Sequence, residues 1–183
     1  MPVPGPASKS HTQAWDVVVR VLHWSLAVIV GIELIRDDGD LVHRVIGYVG
    51  VGIVAARLLW SMVTRGHGRM ALLKPSARVT LSYTRSLMRG DAPRQNGHDP
   101  LGLWMVWLLW ILVLLLGLTG WMTRLDMFWG DERVQNLHAW LADAMLAAVV
   151  VHLTGVAVMS WLWRENLPAS MVTGRKREVD RSS

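Results

Sequence analysis

This chain contains no cysteine among its 183 residues. That absence excludes disulfide bonds, iron–sulfur clusters held by cysteine, thiolate zinc sites and haem attached covalently through a Cys-x-x-Cys-His motif. Any cofactor that the protein binds must therefore be held by other side chains.

Charge is missing from two long stretches of a chain that is 52% hydrophobic. Residues 101–123 have no charged side chain, and residues 144–163 have no ionisable side chain except that of His152. Each stretch is long enough to cross a bilayer as an α-helix. Two further segments that carry a few charges, 17–35 and 43–63, bring the predicted number of membrane spans to four.

We predict an all-α fold, an integral membrane four-helix bundle with up-down-up-down topology, formed by residues 15–167. Residues 1–14, which include three prolines, are expected to form a flexible arm, and residues 168–183 a basic tail. The stretch 71–88 mixes apolar and basic residues, which predicts an interfacial cytoplasmic helix on anionic lipid. The four spans are expected at about 15–35, 43–63, 100–123 and 136–163. The first of them lacks a small-residue cleavage site and is expected to be retained.

Basic residues gather in two parts of the chain and acidic residues in two others. Residues 64–97 hold seven Lys and Arg residues against one acid, and the chain after residue 163 holds five. Because basic residues favour the cytoplasmic side, both termini and the middle loop are predicted to be cytoplasmic. These charges flank spans and form no recognisable nucleic-acid-reading module, so no nucleic-acid partner is expected. The acidic outer residues are Asp37, Asp38, Asp40, Asp126, Asp131 and Glu132.

Four histidines lie in the predicted spans. His138 and His152 are fourteen residues apart, so they share one helix face about 21 Å apart along its axis. Counted from the cytoplasmic ends of their spans, His23 and His152 lie at similar depths, whereas His43 and His138 both begin spans at the outer side. Of the three possible pairings, only His23 with His152 and His43 with His138 places both partners at one depth.

Each pair offers two imidazoles, which are too few for the four ligands of a typical zinc site. Haem supplies four ligands of its own, so two histidines complete the coordination of its iron. The sequence therefore predicts two non-covalent haem b groups, an inner one held by His23 and His152 and an outer one held by His43 and His138. Filled axial positions favour electron transfer, and no catalytic residue is expected.

Small and basic residues accompany these histidines. Gly47 and Gly155 would allow a porphyrin to approach the helix backbone closely. Arg20 and Arg57 on the inner side, and Arg44 on the outer side, are candidate partners for the haem propionates. Ordinary helix packing and snorkelling to lipid headgroups explain the same residues.

Several short motifs, in this order, resemble the bacterial cytochrome b-561 family, which includes the cytochrome b subunits of membrane-bound nickel–iron hydrogenases. The resemblance covers nearly the whole chain, from about Trp15 to Lys176. One motif, His98-Asp99-Pro100, departs from the usual His-Asn-Pro. The motifs are residues 15–16, residues 20–24 around His23, His43 with Gly47 and Tyr48, residues 57–60, residues 98–102, Leu137 with His138, His152 with Gly155, and residues 164–176.

The resemblance implies a four-helix cytochrome of the bacterial inner membrane with two b haems, which passes electrons between the quinone pool and a redox partner. The axial ligands of the family map onto His23, His43, His138 and His152. The segment 164–176 looks most like that of members associated with periplasmic c-type cytochromes. The acidic outer loops would suit a basic protein of that class.

Other functions stay open. A superoxide:quinone oxidoreductase would be helped by a positive outer surface, which the acidic outer residues oppose. The cytochrome b subunit of a hydrogenase is a second alternative, although such subunits tend to be longer. A haem-free membrane scaffold or metal transporter is a third, but transport sites usually show broken helices and midplane carboxylates, which this sequence lacks.

Overall fold

The computed structural model describes residues 11–13, 16–36, 39–63, 76–89 and 100–177. These residues form six α-helices, one short 3-10 helix at Asp126–Phe128 and two three-residue strands. The all-α fold class predicted from the sequence is confirmed apart from this small pair of strands. The elements are β1 (His11–Gln13), α1 (Val17–Glu33), α2 (Leu41–Val63), α3 (Ala77–Met88), α4 (Pro100–Met122), α5 (Glu132–Leu162), α6 (Leu167–Thr173) and β2 (Arg175–Arg177).

Three of the described helices, α2, α4 and α5, are long and apolar enough to cross a membrane. They have 23, 23 and 31 residues, whereas α1, the first of the predicted spans, has 17. In the most apolar part of α5, only 11% of the residues are buried inside the protein. A soluble protein rarely exposes so much apolar surface, so these helices are suited to contact with lipid.

Aspartate side chains set the starts of three helices. Asp16 accepts a hydrogen bond from the backbone N–H of Val18 at 2.8 Å and caps α1, and Asp131 caps α5 through the N–H of Arg133. Asp40 accepts from the N–H of His43 at 2.7 Å. The second and fourth predicted spans therefore begin a few residues earlier than expected, because a cap fixes the first turn before the apolar run starts.

The four long helices pack in the order α1, α2, α4, α5, each against the next. Their shared core contains Val54 and Met145, whose exposed fractions are 0% and 2%, together with Val113 and Ala148. Gly50 lies buried in α2, where an added Cβ would come within 3.2 Å of Ile29 on α1. Small residues thus let these two helices approach closely.

The two ends of the described chain meet at one end of the helices. β1 pairs antiparallel with β2, with Thr12 opposite Lys176. A guanidinium N–H of Arg20, near the start of α1, donates to the carbonyl of Val172 in α6. Gly174, at φ 77°, ends α6 in the left-handed conformation and lets the chain turn into β2.

Helix α3 lies against the start of α4. The indole N–H of Trp104 donates to the hydroxyl of Thr80 at 3.1 Å, and the Tyr83 side chain is buried. Arg78, Arg85 and Arg89 are exposed. The predicted interfacial helix began at residue 71, and residues 71–75 lie outside the described residues.

Candidate functional site

The structure brings together the four histidines that the sequence singled out, in two pairs. His43 of α2 and His138 of α5 have ring centroids 6.3 Å apart, with the ring planes at 76°. His23 of α1 and His152 of α5 have ring centroids 6.5 Å apart, with the planes at 61°. We call these the outer pair and the inner pair.

The separation within each pair is that of two imidazoles sharing one metal atom. A bond from a metal to an imidazole nitrogen is about 2 Å long, so two rings on opposite sides of a metal have centroids about 6 Å apart. Both pairs meet this geometry. Within the described residues, no group of three or more His, Asp or Glu side chains forms a candidate metal-ion cluster.

Hydrogen bonds fix the orientation of His43. Its Nδ1 lies 2.8 Å from Oε2 of Glu33, the last residue of α1, and 3.1 Å from the backbone carbonyl oxygen of Arg36. A carboxylate oxygen and a carbonyl oxygen both accept, so Nδ1–H of His43 donates to them. In the tautomer that carries its hydrogen on Nδ1, the Nε2 atom of His43 has the lone pair that can bind a metal.

His138 is oriented in the same way by a hydroxyl group. Its Nδ1 lies 2.8 Å from Oγ1 of Thr119 on α4. The Thr119 hydroxyl also lies 2.9 Å from the carbonyl oxygen of Leu115, to which it donates its single hydrogen. With its hydrogen directed to a backbone carbonyl, the hydroxyl accepts from Nδ1–H in the tautomer of His138 that carries its hydrogen on that atom, and Nε2 of this tautomer has the lone pair.

Sequence reasoning missed Thr119 and did not assign Glu33 to the site. Thr119 is the one hydroxyl-bearing residue of α4, and it is 3% exposed. A hydroxyl within a long apolar helix needs a hydrogen-bond partner, and this was the signal that could have drawn attention to Thr119. Which histidine Thr119 contacts cannot be read from the sequence.

A cavity that opens to the outside adjoins the outer pair, and the space within it, open solvent included, is about 740 Å³. His43, His138, Glu33, Arg44 and Gly47 are among its lining residues. Gly120 also lines it, and an added Cβ there would lie 3.4 Å from Cε1 of His138. The cavity therefore depends on small residues beside the two imidazoles, as the approach of a flat macrocycle requires.

A second cavity that opens to the outside, with about 500 Å³ of space, open solvent included, lies against His23 of the inner pair. Its wall includes the buried Arg57, whose guanidinium donates to the hydroxyl of Ser61 and lies 5.9 Å from the ring centre of Trp110. His152 does not line this cavity. Leu26 borders both cavities and so lies between the two sites.

The remaining predicted site residues differ in where they lie. Arg44 lines the outer cavity and its Nε donates to the backbone carbonyl of Asp40 at 3.2 Å. Arg20 instead holds the carbonyl of Val172. Gly155 is exposed, borders neither cavity, and has open space where a Cβ would stand. His67 and His98 lie outside the described residues.

Asp40 stabilises the helix start that presents His43. Besides accepting the His43 backbone N–H, its carboxylate pairs with the guanidinium of Arg36 at 3.0 Å. The hydrogen bond from His43 and then the charge of Arg36 lower the pKa of Asp40 below its ordinary value. The carboxylate is thus ionised throughout the neutral range.

The donor set and its surroundings fit haem b at both pairs. Each pair offers two imidazole rings whose centroids are about as far apart as those of two rings that share one metal atom, and a cavity adjoins each pair with an arginine in its wall that can meet an anionic propionate. The fit is more complete at the outer pair, because both of its histidines line the cavity and both are held by hydrogen bonds.

A family model described as prokaryotic cytochrome b561 matches residues 14–174. A search of curated proteins finds no match.

Proposed function

This chain belongs to the prokaryotic cytochrome b561 family, and we propose that it is a di-haem cytochrome that passes electrons between the quinone pool and a periplasmic c-type cytochrome. Membership confirms the resemblance inferred from the sequence motifs, and with it a membrane protein that binds haem b. The number of haems, the quinone and the c-type partner belong to the proposal. The observation that carries it is the presence of two histidine pairs with ring centroids 6.5 Å and 6.3 Å apart.

His23 and His152 would hold the inner haem iron, and His43 and His138 the outer one. Haem b supplies a one-electron carrier, and imidazoles on both faces leave its iron no open position for a substrate. The two α5 histidines are about 21 Å apart along the helix, so the pairs define two levels between which electrons pass across the membrane.

Basic side chains would meet the propionates at each level. Arg44 lines the outer cavity and Arg57 the inner one. Burial favours this role for Arg57, because a guanidinium that is 7% exposed gains from a nearby anion. Arg20 would support the inner level indirectly by holding α6, whose Met171 borders the inner cavity.

The proposed topology has α1 as a fourth span beside α2, α4 and α5, in the bacterial inner membrane, with both chain ends in the cytoplasm. The pairing of β1 with β2 supports it, because two ends can pair only on the same side of a bilayer. The exposed arginines of α3 support the cytoplasmic assignment and a position on anionic lipid headgroups.

The opposite end of the helices carries the acidic side chains. Asp126 is exposed in the connection between α4 and α5, Glu132 is exposed at the first residue of α5, and Asp40 directly precedes α2. A negative surface of this kind attracts a basic redox protein and speeds its docking. It would repel superoxide, so it favours electron exchange with a protein over superoxide oxidation at this face.

Haem content tests the proposal directly. The full chain, purified in detergent after expression with haem available, should show the reduced-minus-oxidised spectrum of six-coordinate b haem and about two haems per chain by pyridine haemochrome assay. A haem-free preparation, or one haem per chain, would refute the di-haem function. Reduction by a quinol analogue, followed by reoxidation with a basic c-type cytochrome, tests the two partners.

A further inference from the structure

The two histidine pairs differ in how their second nitrogens are held. Both members of the outer pair donate from Nδ1, His43 to Glu33 and His138 to Thr119. His23 and His152 make ring contacts, but the described residues give neither a hydrogen bond. The outer pair alone is thus tied to polar partners in the described part of the chain.

The partners within the outer pair differ in charge. Thr119 offers a neutral hydroxyl oxygen, whereas Glu33 offers a carboxylate. A hydrogen bond to a carboxylate is shorter and stronger than one to a neutral oxygen, and more so away from bulk water. The side chains of His43 and Glu33 are 22% and 18% exposed, so this bond is largely shielded.

Neighbouring groups hold the Glu33 carboxylate at this place. Glu33 ends α1, and its Oε2 lies 2.8 Å from Nδ1 of His43 in the first turn of α2. Gly47 lies one turn after His43, and a Cβ there would stand 3.8 Å from Oε2 of Glu33, an ordinary contact distance. The carboxylate, the imidazole and the outer cavity are therefore contiguous.

We propose that Glu33 is a positioning residue for the outer haem: through its hydrogen bond it fixes the ring of His43 and increases electron donation from Nε2 to the iron. This inference rests on the proposed function. A carboxylate that draws on the Nδ1 hydrogen makes the imidazole a stronger donor, which stabilises ferric over ferrous iron. The outer haem then has a lower midpoint potential than a neutral partner would give it.

A redox titration of the haem-loaded full chain tests this inference. Glu33→Gln keeps the size of the side chain and removes its charge, so one of the two midpoint potentials should shift in the positive direction while the other stays unchanged. The low-spin ferric EPR signal of the same haem should move as well. Thr119→Val, which removes a neutral partner, should produce a smaller shift.

Combining Glu33→Gln with the loss of one haem or the other identifies the haem whose midpoint potential shifts. The shift caused by Glu33→Gln should persist with His152→Ala, which leaves the outer haem, and be absent with His138→Ala, which leaves the inner one. Asp143→Asn removes the charge of an exposed carboxylate on α5, the helix of His138, and should leave both potentials unchanged.

Two haems with wild-type potentials in Glu33→Gln would overturn the inference and leave the proposed function standing. A wild-type chain without b haem would overturn both. If Glu33→Gln loses the outer haem altogether, Glu33→Asp decides the matter. Its shorter carboxylate should retain the haem with a positively shifted potential, and an unchanged potential would overturn the inference.

Discussion

The hydroxyl of Thr119 lies 2.8 Å from Nδ1 of His138, so a residue of α4 orients a ring of α5. The same hydroxyl is anchored to the Leu115 carbonyl one turn back along its own helix. The orientation of the His138 ring is therefore coupled to the way α4 and α5 pack. Loss of packing between these helices would release the ring as well as the core.

Replacing a single histidine should remove only the haem of the pair to which it belongs. His152→Ala should lose the inner haem and keep most of the outer one, and His138→Ala should do the reverse, because each ring faces only one partner. Haem per chain and the reduced-minus-oxidised spectrum measure the effect. His67→Ala is the matched control and should keep both haems. Two intact haems in either variant would contradict the pairing.

Two glycines should respond oppositely to the same substitution. An alanine Cβ at Gly117 of α4 would overlap the side chain of Val51 on α2, so Gly117→Ala should destabilise the protein by about 1–3 kcal/mol. Gly155→Ala meets open space and should be neutral or stabilising by up to about 1 kcal/mol. Thermal unfolding in detergent measures both. A Gly155→Ala protein that melts as early as Gly117→Ala would contradict the packing of these helices.

Asp40 should make stability depend on pH in the acid range. Its pKa is lower in the folded protein than in the unfolded chain, so its contribution is present above the unfolded pKa and is lost as pH falls through the folded pKa. Asp40→Asn should lower the melting temperature at neutral pH. On acidification, the melting temperature of this variant should then fall less than that of the wild type, because the variant has no carboxylate to protonate at this position. Asp143→Asn, at an exposed position in α5, is the control. Equal acid sensitivity in wild type and Asp40→Asn would refute the prediction.

Reversing outer charges should slow electron transfer to a basic c-type cytochrome. Asp126→Lys with Glu132→Lys should reduce the second-order rate on the order of tenfold at low ionic strength, and the difference should shrink as salt screens the surface. Stopped-flow oxidation of the reduced protein measures it. Glu165→Lys, beyond the opposite end of α5, should leave the rate unchanged. A rate that changes neither with ionic strength nor with these charge reversals would exclude electrostatic docking at this face.

The sequence predicted the histidine pairs because helix rise and span direction determine depth, and depth alone separates the three possible pairings. It could not predict Thr119 against His138, since that contact depends on the rotation of α4 about its own axis, and α4 is apolar on every side. The surroundings of Gly117 and Gly155 could not be predicted for the same reason. Both lie in apolar helices, but one faces α2 and the other faces outward.

Helix caps can be recognised in the sequence, whereas the pairing of the two short strands cannot. Asp16, Asp40 and Asp131 stand directly before their helices in the sequence, and a local signal of this kind indicates a helix start. The apolar runs predict starts at residues 43 and 136 for the second and fourth spans, whereas α2 and α5 begin directly after Asp40 and Asp131. The pairing of β1 with β2 had no such signal. Strands of three residues are too short for an alternating pattern, and their partners are more than 160 residues apart.

Leu26, which borders both cavities, bears on electron transfer between the two proposed haems. A leucine side chain contains only saturated carbon and has no redox state of its own. An electron that passed from one cavity to the other at this point would tunnel through that aliphatic side chain. An aromatic residue in its place would alter the height of the tunnelling barrier while leaving both histidine pairs in position.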